Sequence, residues 1–96
     1  MDYKVLITDT ALQDLKGIVA FISQDDAVTA VRVGESLLDR ALSLGTMPDR
    51  CPFHDAARCI RKMTASPFLL YYTFDEAHAV VHILHFWHGA RLSPEF

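Results

Sequence analysis

Residues 79–88 read AVVHILHFWH, and the kind of element they form decides the fold. The run is rich in β-branched and aromatic residues and follows the short polar segment DEAH (75–78), so it reads as a strand rather than a helix. In a strand His82 and His88 share one face while His85 points to the other. Six residues at about 3.3 Å each set His82 and His88 roughly 20 Å apart. They cannot hold one metal ion together, and a zinc centre would need His54 or the cysteines to converge as well. No metal is expected. Phe86 and Trp87 read as packing residues on opposite faces, and His82 and His85 as strand residues at the polar margin of the sheet.

Working outward, RCIRKM (58–63) and FLLYYTF (68–74) are two further strand-like runs, separated by TASP (64–67). Polar separators of turn length make antiparallel hairpins the natural connection. TMPDRCPFHDAA (46–57) has two prolines and no period, and reads as a surface loop. Before it lie two amphipathic helices. The first, over 10–24, starts with Thr10 as N-cap and Gln13 three residues on, and carries Leu12, Leu15, Val19 and Ile22 at helical spacing. The second, over 26–44, is capped by Asp25 or Asp26. Its small residues Ala27, Ala30 and Gly34 let the helices approach as a short hairpin. Gly45 stands at the C′ position and Pro48 follows. YKVLITD (3–9) is a short β-branched strand. The order is β-α-α-β-β-β: an α+β fold with a helical hairpin packed on a small antiparallel four-stranded sheet.

Ninety-six residues form a single domain spanning 1–96, with a core of modest margin. A composition 51% hydrophobic and 22% charged excludes a disordered chain. No apolar run reaches the length of a membrane span, and the N-terminal residues lack a signal-peptide pattern, so a cytoplasmic protein is expected. Cys51 and Cys59 read as reduced thiols, with a disulfide or a two-ligand metal site as the alternative. The net charge is −3. Residues 1–48 carry four Lys/Arg against seven Asp/Glu, and residues 49–96 carry five of each plus all five histidines. This excludes a broadly basic nucleic-acid-binding surface. Only ARCIRKM, with Arg58, Arg61 and Lys62, forms a local positive cluster.

His88 stands apart from the other strand histidines. It lies where the last strand ends, next to Gly89 and three residues before Arg91, in the kind of place where sites are built. An imidazole beside a fixed guanidinium can act as an acid/base with an anion stabiliser. The same two residues serve equally well as polar caps of a sheet edge, and on position alone both readings stand.

The combination of DLKGIVAFI, ESLLDRALSLGTMPDR, CIRKM, LLYYTFDE and VVHILHFWHGAR, in this order and over residues 3–92, resembles the RelE/ParE superfamily of toxins from bacterial type II toxin–antitoxin pairs. The resemblance implies a small growth-inhibiting toxin of a plasmid-stabilisation module, neutralised by a cognate antitoxin and using no cofactor. ParE-like members poison DNA gyrase and are not nucleases. RelE-like members are ribosome-dependent endoribonucleases that cut mRNA without a metal. An inactive relative that only binds its antitoxin is a third possibility.

For the nuclease branch, the matching positions are Arg61, Tyr72, His88 and Arg91. His88 would then be the acid or base, and Arg61 and Arg91 the cations that stabilise the phosphorane-like charge. Target binding is expected of Arg58, Arg61, Lys62 and Arg91. The chain departs from that branch in two ways. It is acidic, whereas binding to RNA rewards positive charge through counterion release, and Phe96 stands where a proton-moving tyrosine would be wanted. The expectation is therefore a ParE-like toxin acting on gyrase.

Overall fold

Thr8 ends the first strand and begins the first helix. Its hydroxyl accepts from the Ala11 amide at 3.2 Å and donates to the Ile83 carbonyl at 2.7 Å, which ties the helix start to the last strand. The N-cap is thus Thr8 and not Thr10, because this threonine alone sits at the extended-to-helical transition while bonded to the sheet. In the computed structural model, which describes residues 2–91, 94 and 96, the elements are β1 (Lys4–Ile7), α1 (Asp9–Ser23), α2 (Ala27–Ser43), β2 (Phe53–Asp55), β3 (Ile60–Ala65), β4 (Phe68–Asp75) and β5 (Val80–His88). A single turn of 3-10 helix, Pro48–Arg50, follows α2.

The helical hairpin forms as its sequence demands. Asp26 caps α2 by accepting from the Val28 and Thr29 amides at 3.1 Å and from the Thr29 hydroxyl at 2.6 Å. Gly34 faces α1 so closely that a Cβ there would stand 3.1 Å from a methyl of Val19. Gly45 occupies the C′ position, but not in the left-handed conformation that usually selects glycine there. Its requirement is space, since a Cβ would lie 3.0 Å from the Tyr3 carbonyl oxygen.

The sheet order is β1-β5-β4-β3-β2. The three turn-linked strands form the expected antiparallel meander, with Arg61 opposite Tyr72 and Phe68 opposite His88. Two features correct the four-stranded antiparallel expectation. β1 pairs parallel to β5, from Lys4–Val80 to Ile7–Ile83. No turn links these two strands, so nothing local sets their relative direction. The loop after α2 also contributes a fifth strand, β2, three residues long and bulged against β3. An element that short has no readable period. β3 itself starts at Ile60, which leaves Arg58 and Cys59 in the preceding turn.

The core lies between the hairpin and one face of the sheet. Leu15, Leu37, Ala41 and Leu44 from the helices meet Met63, Leu70, Tyr72, Val81, Ile83 and Phe86. Each fully buried Leu, Ile or Phe contributes about 1.5–3 kcal/mol relative to exposure. The strand carrying this core is not regular. Tyr72 pairs with Ile83 and Tyr71 with His85, so Leu84 is an extra residue, a bulge that shifts the alternation of β5 by one. His82 and His85 therefore share the outer face, away from the helices, and His88 lies on the helix side beside Phe68. This reverses the pairing expected of an unbroken strand. Phe86 and Trp87 do fall on opposite faces, Phe86 in the core and Trp87 outside.

Candidate functional site

The four residues singled out for the nuclease branch separate into two groups, one at the middle of the sheet and one at its end. Arg61 and Tyr72 are cross-strand neighbours beside the 48–53 segment. The Tyr72 hydroxyl is buried and donates to the Pro48 carbonyl at 2.6 Å. Burial, and then contact with Cys51, push this phenol well above its usual range, so it holds its proton. The Arg61 guanidinium donates to the Asp49 and Cys51 carbonyls at 3.0 and 2.6 Å and lies 4.0 Å from the Phe53 ring centre. Together they clamp the loop that joins α2 to β2. Both side chains are committed to backbone.

His88 ends β5, and Arg91 follows it. Four residues of β4 separate the Tyr72 level from the Phe68 level, about 13 Å along the strand. His88 packs edge-on against Phe68, with ring centres 5.4 Å apart, and its Nδ1 accepts from the Ala90 amide at 3.1 Å. A neutral ring with this contact carries its proton on Nε2. Arg91 lies over the Trp87 ring at 4.3 Å. The two residues border an open groove of about 900 Å³ between the hairpin and the end of the sheet. Gly17, Ile18, Phe21 and Val33 line its helical side, and Phe68 and Phe86 its floor. Phe21 is 71% exposed, a large apolar ring offered to whatever lies in the groove.

A third cluster, on the outer face, joins Arg58 and Lys62 to residues that the sequence reading did not connect with them. His85 Nδ1 lies 2.6 Å from a carboxylate oxygen of Asp14, a residue of α1 that reaches round the edge of β5 where β1 has ended. The Phe96 ring packs against His54, Tyr71 and His85, with ring centres 5.3 to 5.8 Å away. Arg58 donates to the Phe96 carbonyl at 2.6 Å and stands 3.8 Å from the Asp55 carboxylate. Lys62 lies on this face opposite Tyr71. Among the described residues no three His, Cys, Asp or Glu side chains converge as a metal site requires, and both cysteines are free thiols. The sequence signals for this cluster are the ARCIRKM run and the aromatic and histidine enrichment of β4 and β5. Asp14 on a helix surface gave none.

A family model for the ParE toxin of the type II toxin–antitoxin system, parDE, matches residues 5–93. The chain belongs to the ParE toxin family. Comparison with curated proteins gives no match. Among solved structures, this ParE-family chain superposes on one from the chromosomal ParDE toxin–antitoxin system of P. aeruginosa with a TM-score of 0.76 and 14% identity, covering 90% of this chain and 95% of that one. A chain of the RelBE2 toxin–antitoxin complex from Mycobacterium tuberculosis gives 0.71 and 23% identity, covering 92% and 99%. At such identities the likeness is one of fold. It agrees with the α+β class. Among the described residues of this ParE-family protein, no helix is long and apolar enough to cross a membrane.

Proposed function

We propose that this ParE-family toxin inhibits growth by binding DNA gyrase, without cutting nucleic acid, and that a cognate antitoxin neutralises it. The observation that carries the reading is the division of the candidate residues. Metal-free RNA cleavage needs an acid, a base and charge-stabilising cations within reach of one phosphate. Here Arg61 and Tyr72 are held by backbone carbonyls about 13 Å along the sheet from His88 and Arg91. Arg58, Lys62 and Arg91 keep the role of target contacts.

The groove between hairpin and sheet is the seat we assign to the antitoxin. An amphipathic helix would lay its apolar residues against Phe21, Val33 and Phe86. β1 covers β5 only from Val80 to Ile83, so an extended segment has a strand edge to join close by. A tail that orders on binding can take both forms in one interface.

Two assays separate the targets. Purified toxin added to gyrase should block supercoiling or trap cleaved DNA, and adding the antitoxin should reverse this. Ribosomes programmed with a message should leave that message intact. Cut messages with unimpaired gyrase would establish the RelE-like reading instead, and with it a cytoplasmic ribosomal target. If neither assay responds while the neighbouring gene's product still co-purifies, the chain is an inactive, antitoxin-binding relative.

A further inference from the structure

The outward face of α2 carries apolar residues that neither the core nor the groove uses. Val28, Val31 and Leu42 are 66%, 58% and 59% exposed. With Glu35 and the half-buried Leu38 they recur at alternating spacings of three and four, the repeat of a helix that pairs with another helix. Ala27, Val28 and Val31 line a shallow depression on this surface, with Arg32 and Glu35 at its rim. Arg32 and Asp39 flank the stripe on one side, one in each half of the helix.

We infer that this stripe is a self-association surface, and that its occupant is α2 of a second copy of the chain, running antiparallel. Charge decides both the partner and the direction. In an antiparallel pair, the register that sets Val31 on Leu42 of the second copy sets Glu35 beside its Leu38 and brings Arg32 to its Asp39. The two-fold axis makes each of these contacts twice. A parallel pair would set Glu35 against Glu35 in the seam and would not bring Arg32 to Asp39. Arg32 in the N-terminal half of the helix meets Asp39 in the C-terminal half only when the second helix is reversed. Glu35 within the stripe, and the limited area of one helix face, make the dimer weak and concentration-dependent. The surface lies on the outer side of α2, away from the groove, so two copies can join while each groove stays open.

Sedimentation equilibrium of the full chain over a concentration series tests this, with circular dichroism confirming that each variant folds. The wild type should dimerise reversibly. Arg32→Asp and Asp39→Arg should each weaken the dimer by roughly tenfold, the scale of two exposed ion pairs lost together. The double variant, which restores opposite charges in the antiparallel register alone, should recover most of that loss. A wild type that stays monomeric at the highest soluble concentration overturns the inference. So does a dimer that ignores both reversals, which would place the contact at the Phe21 groove. If the double variant is no better than the singles, or if the reversals weaken antitoxin binding instead, the face belongs to another partner and the inference fails.

Discussion

The Tyr72 hydroxyl and the Pro48 carbonyl form a buried hydrogen bond 2.6 Å long, joining the middle of the sheet to the turn after α2. Tyr72→Phe removes the donor and leaves the carbonyl without it in a dry site. The expected cost is about 1–3 kcal/mol of stability, seen as a lower denaturation midpoint with an unchanged urea m-value. Toxicity per folded molecule should be retained. A variant of wild-type stability that has lost its toxicity would mean the phenol serves chemistry after all.

Arg91→Ala should relieve toxicity while preserving the fold and antitoxin capture, since Arg91 is exposed and touches the Trp87 ring at the surface. His88→Gln discriminates more sharply. Proton transfer by a positioned side chain is typically worth about 10²–10⁴-fold, so a nuclease using His88 would lose nearly all of its cleavage. A gyrase binder should lose only one contact, about 1–2 kcal/mol or less outside a hot spot. Growth rates on graded induction measure the difference. Full toxicity in both variants would move attention to the His54–Tyr71–His85 face.

Gly34→Leu should destabilise the fold by about 1–3 kcal/mol, because even a Cβ at this buried position would stand 3.1 Å from a Val19 methyl. Thermal unfolding reports it. An unchanged midpoint would mean that α1 and α2 separate at no cost, contrary to their packing.

The Asp26 cap makes stability depend on acidity in a defined direction. The Thr29 hydroxyl, then the Thr29 amide, hold this carboxyl below its ordinary range. A carboxylate with a depressed folded value stabilises the native state above the unfolded value, and that support is lost as pH falls through the folded one. Asp75, lowered chiefly by its hydrogen bond with His78, acts in the same sense. Stability should therefore decline below about pH 4, the ordinary carboxylate range. Asp26→Asn keeps the cap geometry and should shrink that acid limb. A pH profile identical to wild type would show that the cap is not linked to folding.

How far the sequence disclosed this molecule depends on the range of each signal. The helices were legible because Leu12, Leu15, Val19 and Ile22 recur at helical spacing in the first and Asp26 is a local cap of the second. The meander was legible because DEAH and TASP are short polar turns between apolar runs. β2 was not, since three residues have no period, and the direction of β1 is set by pairing with a strand more than seventy residues away. The candidate site was less legible still. Tyr72 and Arg61 look available in the sequence, and only the fold shows them turned toward the carbonyls of residues 48–51. Asp14 and His85 are brought together by the edge of the sheet, a relation no local pattern records.

The extra residue at Leu84 gives β5 two phases of side-chain alternation, one shared with Val81 and Ile83 and another with His85 and Trp87. Phe86 reaches the same core as Ile83 only because the chain has taken one more step than its neighbour. What Leu84 supplies is therefore a bulge more than a particular side chain. A different side chain at 84 leaves the arithmetic of the strand intact. A deletion there would remove the bulge and leave a regular strand, with Phe86 still inside and His85 and Trp87 still outside, so what would be lost is the local bend and added twist of β5.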